Sequence, residues 1–127
     1  MVAAWVQEGA LHVARRSPGG AAPWGSTEIL PGPALASPDL ALVADVAGNV
    51  TLAVTEEQNR VTARRYSATL GTWAPAVSVG APAQGDAVLA NDPVAVVDPS
   101  GNVTLGWFAW HRVGGADDFV LAANQLR

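Results

Sequence analysis

The chain has no cysteine and no lysine, few aromatics and little charge of either sign. Without cysteine there can be no disulfide and no thiolate metal site, and the redox compartment leaves no mark. Every cation is an arginine, which reads as a coding bias rather than as chemistry. Charged residues make up 14% of the 127 positions, the formal net charge is −4 and the sequence pI is about 4.8. That balance disfavours nucleic acid and anionic membranes as partners, since both call for a basic stripe. At 50% hydrophobic residues the chain is too apolar for disorder. Residues 1–16 lack the basic region and long apolar core of a signal peptide. The uncharged run 66–85 could reach across a bilayer, but Gly71, Pro75, Gly80, Pro82, Gly85 and several hydroxyls make it a strand–turn–strand instead. No segment sustains a 3.6-residue period with caps, so essentially no helix is expected. Nucleophile-elbow, P-loop, HExxH and EF-hand patterns are all missing.

What is present is a repeat. "DVAGNVTLAV" at Asp45–Val54 returns as "DPSGNVTLGW" at Asp98–Trp107. At a second offset, Ala4, Ala14, Arg15, Arg16 and Trp24 return without a gap as Ala53, Ala63, Arg64, Arg65 and Trp73. "FVLAANQL" at Phe119–Leu126 echoes "RVTARRYS" at Arg60–Ser67. The unit is about fifty residues long, and the chain holds roughly two and a half of them.

Each unit reads as strand-sized pieces. "PVAVVD" (Pro93–Asp98) is short, apolar and β-branched, and "SGN" (Ser100–Asn102) is a tight turn, because Gly and Asn tolerate positive φ. "VTLGWF" (Val103–Phe108) returns antiparallel, and the middle unit adds "VTARRYS" (Val61–Ser67) and "WAPAVSV" (Trp73–Val79). "LALVADV" (Leu40–Val46) is apolar on both faces, as a strand is when its sheet lies between two others. Four-stranded units of this length, flanked by like units, describe the blades of a β-propeller. Ala4, Ala53 and Gly106 recur at one spot, where neighbouring sheets could approach closely.

The phrases "DPVAVVDPSGNVTLGW" and "VTARRYSATLGTWAPAVSV" resemble a bacterial β-propeller repeat family related to sialidase-like propellers with Asp-boxes. The resemblance covers nearly the whole chain. It implies an all-β fold: a partial propeller of about two and a half four-stranded antiparallel blades, the first partial over about 1–31, the second over about 38–80, the third partial over about 91–127. Strands would run B-C-D, A-B-C-D and A-B-C, with A nearest the axis. The family is common in secreted or surface proteins, which is the only pointer to location. The Asp-box itself is not matched, since the segments before Trp24 and Trp73 read "SPGGAAPW" and "SATLGTW". An open wedge of blades exposes two apolar faces, which isolated soluble proteins avoid. Either the chain is part of a longer propeller or copies of it close a ring, and a homo-oligomer is the expectation. Two chains would give roughly six blades, within the usual range of about four to eight.

Few residues suggest chemistry. Trp24 and Trp73 open the outer strand, and Trp5 and Trp107 end the B strands. Packing between blades is the expected role, with sugar stacking the alternative. Gly48, Asn49, Gly101 and Asn102 form the repeated turns, which accounts for the two NVT sequons without glycosylation. Trp110 has no counterpart and leads into "HRVGGADD" (His111–Asp118), read as the longest B–C loop. Trp110, His111, Arg112, Asp117 and Asp118 are the candidate ligand-binding residues, for a glycan or a protein, on the loop face where propellers hold ligands. One His beside two adjacent Asp makes a poor metal site, because neighbouring carboxylates on an extended backbone point to opposite sides. No metal or cofactor is expected. In sialidases several Arg clamp a carboxylate near the axis. Here Arg15–Arg16 and Arg64–Arg65 fall on strand C, where ion pairing between blades is expected instead. The function expected is a non-catalytic binding module, with a purely structural self-assembling scaffold as the alternative. A sialidase-like hydrolase is disfavoured by length and by the missing acid–base pair.

Overall fold

Strands that are apolar on alternate residues cover one sheet face, and strands apolar throughout need cover on both. The computed structural model meets both needs with three antiparallel sheets stacked in chain order. It describes residues 1–17, 23–32, 35–56, 60–80, 89–113 and 116–126. The first sheet holds β1 (Val2–Gln7), β2 (Ala10–Arg15) and β3 (Glu28–Leu30) in that order. The second holds β4 (Leu35–Ala44), β5 (Val50–Glu56), β6 (Arg60–Ser67), β7 (Thr72–Trp73) and β8 (Val77–Gly80), the last two both pairing with β6. The third holds β9 (Leu89–Val97), β10 (Val103–Val113) and β11 (Ala116–Leu126), with β10 central. Among the described residues there is no helix, so none is long and apolar enough to cross a membrane. All-β architecture and repeated antiparallel sheets are as the sequence pattern implies. The fourth strand of the middle unit is broken in two at Ala74–Ala76, where Pro75 has no N–H to give the ladder.

The repeated phrase forms one turn made twice. In each copy the Gly N–H bonds the carbonyl of the opening Asp, Gly48 to Asp45 at 3.1 Å and Gly101 to Asp98 at 2.9 Å. The two glycines sit at φ of 85° and 84°, left-handed backbone that costs Gly nothing. The expected positive φ at Asn is not used. Instead the Asn49 amide reaches across the turn to Asp45 Oδ2 at 2.8 Å, and Asn102 does the same to Asp98 at 2.8 Å.

Hydrogen-bond register corrects the ungapped alignment of the first two units. Gln7 pairs Ala10 across a two-residue turn with Glu8 and Gly9 both at positive φ, whereas Glu56 pairs Arg60 across 57–59. The second unit therefore carries one extra residue between its first two repeated strands. Val13 opposes Ala4 as Ala63 opposes Ala53, and Arg15, not Arg16, takes the place of Arg65. A slip of one residue reverses every side chain in the strand, so pairing and not letter matching decides which Arg faces which way. The third unit shows the same slip: Leu126 opposes Val103 as Tyr66 opposes Val50.

β5 is buried along its whole length. Its even residues Leu52 and Val54 join Leu11, Val13 and Leu30 in a core between the first and second sheets. On the other face Ala53, with Val61, Ala63 and Val79, packs against Val103, Leu105, Trp107 and Ala109 of β10. Leu52 and Leu105 are 1% and 0% exposed; burying a side chain of this size fully contributes about 1.5–3 kcal/mol. Small residues on one face let the sheets close up. The clearest case is Gly80 at the end of β8, which the Trp107 ring covers so closely that a methyl group there would overlap it. Asn124 adds a polar tie between these sheets, its amide donating to Val79 O at 2.8 Å.

Gly80→Ala should therefore cost about 1–3 kcal/mol, the usual penalty of overpacking. Urea unfolding measures it, and combining it with Trp107→Leu should recover part of the loss, since the ring is what the methyl meets.

Candidate functional site

The segment singled out as a long loop is strand. β10 and β11 pair without interruption from Val103↔Leu126 to Val113↔Ala116. His111 stands opposite Asp118 and Arg112 opposite Asp117 in that ladder, and Trp110 pairs with Phe119 on one side and Leu89 on the other. The equivalent hairpins stop sooner: Glu56, the counterpart of Ala109 in the repeat, is the last residue of β5, and Gln7 is the last of β1. The third hairpin therefore extends past its counterparts by the residues from Trp110 onward. The cause lies in the sequence, where "FAWHRV" continues the β-rich pattern of β10 instead of turning. The side chains of His111, Arg112, Asp117 and Asp118 lie outside the described residues. Trp110 is half-buried.

At the opposite end of the sheets sit the two Asp–Asn turns. Asp45 Oδ1 accepts the Asn49 backbone N–H at 2.9 Å, and Asp98 Oδ1 accepts those of Ser100 and Asn102 at 2.8 and 2.9 Å. The Asn side-chain amide is the largest cause holding each carboxyl below its ordinary pKa, backed by these backbone donors. Arg65 leans over this end, 3.5 Å from Asp45 Oδ2, and donates to Gly101 O at 3.3 Å, joining the second sheet to the turn of the third. Arg15, its counterpart, lies 4.5 Å from the Tyr66 ring centroid in the next sheet and 3.3 Å from Glu28 Oε2 in its own. Arg64 points the other way and donates to Pro31 O. Arg15, Arg64 and Arg65 thus each reach a neighbouring sheet, by three different contacts. Among the described residues no three His, Asp or Glu come together as a metal site would require.

The tryptophans divide. Trp107 is 7% exposed in the core between the second and third sheets. Trp73 packs against the core between the first and second, 5.5 Å from the Tyr66 ring, with its indole N–H buried and unpaired. Trp24 is 44% exposed and lies outside the strands. Trp5 repeats the position of Trp107 but stands on the free face of the first sheet, stacked on His12 with ring centroids 5.5 Å apart.

The end that carries the β10–β11 extension also holds an acidic side chain inside the second sheet. Glu56 is buried, with Oε1 accepting the Thr62 hydroxyl at 2.9 Å. It borders a cleft of about 190 Å³ between the first two sheets, with Leu11, Leu30, Val54 and Arg64. That volume is below the roughly 300–1,000 Å³ of small-molecule sites. The signal available was Glu56 falling at the repeat position of Gln7 and Ala109, inside the sheet and not in the loop. No protein-family model and no curated protein matches this chain.

The Asp–Asn turns generate a pH prediction. A carboxyl whose folded-state pKa is depressed stabilises the fold above its unfolded value, about 3.9 for Asp, and loses that contribution as pH falls through the folded value. Stability should accordingly decline below about pH 4. Carboxyl-carbon NMR titration should find Asp45 and Asp98 below the ordinary range, and Asn102→Ala should raise Asp98 while leaving Asp45 in place.

Proposed function

We propose that the chain is a non-catalytic propeller-type module whose three sheets act as consecutive blades of a larger ring, closed by further copies of itself. One observation carries the reading: the middle sheet is covered on both faces by like sheets, while among the described residues each flanking sheet has a face that no other sheet covers. Two chains would bring six sheets together, within the roughly four to eight of propellers. Arg15, Arg64 and Arg65 support a structural role, since each reaches a neighbouring sheet. The resemblance to bacterial propeller repeats points the same way.

The β10–β11 extension supports a second reading, a ligand role added to assembly. The hairpin outruns its two counterparts, and the extension places His111, Arg112, Asp117 and Asp118 at paired positions. The ligand is a glycan or a protein surface.

Light scattering should return a multiple of the 13.0 kDa chain mass. A single-chain mass at the highest soluble concentration overturns the assembly. On a glycan array, Arg112→Ala and Asp118→Ala should abolish any hit of the native chain without changing its mass. An intact assembly that retains no glycan restricts the second reading to a protein ligand.

A further inference from the structure

The free faces of the first and third sheets are not alike, and each has a counterpart in the middle of the chain. On the free face of the third sheet Val94, Val96, Phe108 and Leu121 are 60%, 63%, 55% and 69% exposed. Transposed through the repeat and the strand register, these are the positions of Ala41, Val43, Thr55 and Val61 in the second sheet. There Ala41, Thr55 and Val61 are 9%, 1% and 0% exposed, and the third sheet is what covers them. The covering is done by the other face of the third sheet, through Leu105, Trp107 and Ala109.

The first sheet presents that covering face again. Ala3, Trp5 and Gln7 hold the places of Leu105, Trp107 and Ala109. Trp5 is half-buried against His12, and Ile29, paired with His12 in β3, is 60% exposed. The chain therefore ends in two different surfaces. One has the register of a face that is covered within this molecule, the other the register of the face that covers it.

Resting on the assembly reading above, we infer that the β9–β11 face of one copy receives the β1–β3 face of a second copy, with Trp5 joining Leu121 and Ala123 in one cluster as Trp107 shares a core with Val61 and Ala63. The contact is heterologous: one surface meets a different surface, so chains join head to tail and close only where the rotation per sheet permits. This arrangement continues the stacking already present twice in the chain. A two-fold contact pairing the β9–β11 face with itself would put Phe108 and Leu121 against their own copies, an arrangement with no precedent between these sheets. Trp5 is then an anchor of the kind that dominates interface energetics, a large aromatic set against the exposed apolar side chains Val94, Val96, Phe108 and Leu121.

The test uses two variants at sites exposed in the single chain, Leu121→Glu and Ile29→Glu, each checked for native circular dichroism. The native chain should show a mass of two or more copies by light scattering, and each variant alone should fall to one. Mixed in equal amounts, the two should recover a complex of two chains that grows no further, because only the intact β1–β3 face of Leu121→Glu and the intact β9–β11 face of Ile29→Glu can meet. A native assembly that survives Ile29→Glu, or a mixture that stays at single-chain mass, overturns the head-to-tail contact while leaving the assembly reading standing. A native chain of single-chain mass overturns both.

Discussion

Everything in this molecule depends on β5 being buried on both faces. Leu52 and Val54 on one side and Ala53 on the other are all buried, so β5 is covered both in front and behind. It calls for a sheet in front and a sheet behind, and the chain provides both by repeating itself. The first sheet brings Leu11, Val13 and Leu30 to one face, and the third brings Leu105 and Trp107 to the other. The flanking sheets are thus covers for the middle one, and among the described residues no further sheet covers their outer sides.

Stacking of this kind needs close approach, and the residues that allow it are small and placed on one face. Ala53, Ala63 and Gly80 present a low surface to which Trp107 fits as the large partner. Interiors pack at crystal-like density, so large and small must alternate across such an interface. At the ends of the sheets, polar ties take over. Arg65 spans from its own Asp45 to the next turn at Gly101, and Asn124 reaches back to Val79. The Asp45 carboxylate is nearly buried while the guanidinium is 37% exposed, so screening limits this ion pair to a modest contribution.

The repeated turn shows how one motif can serve two purposes. Gly48 and Gly101 are there for left-handed backbone. Asn49 and Asn102 are there for their side chains, which hold the opening Asp and lower its carboxyl pKa. Asn49 also accepts the Ala68 N–H at 3.0 Å, fixing the far end of β6 to the turn. The order Asp-x-x-Gly-Asn is a covalent spacing that lets both jobs be done within five residues.

Much of this was legible in the letters alone. Fold class, the three-sheet division and the turns follow from a period of about fifty residues and from apolar runs too uniform for a one-sided sheet. These signals are local or periodic, and a chain carries them wherever it goes. Register was not legible. The match of Ala14-Arg15-Arg16 to Ala63-Arg64-Arg65 looks ungapped, yet Gln7 pairs Ala10 while its counterpart Glu56 pairs Arg60, one residue further on, and every later side chain in the strand changes face relative to that match. Glu56 inside the sheet and the prolonged β10 over Trp110–Val113 left only faint signals, a repeat position and a β-rich run, since both lie next to Gly or polar residues that read as loop. Side-chain direction in a strand is set by hydrogen bonds to partners far along the chain, and only the tertiary structure decides which partners those are.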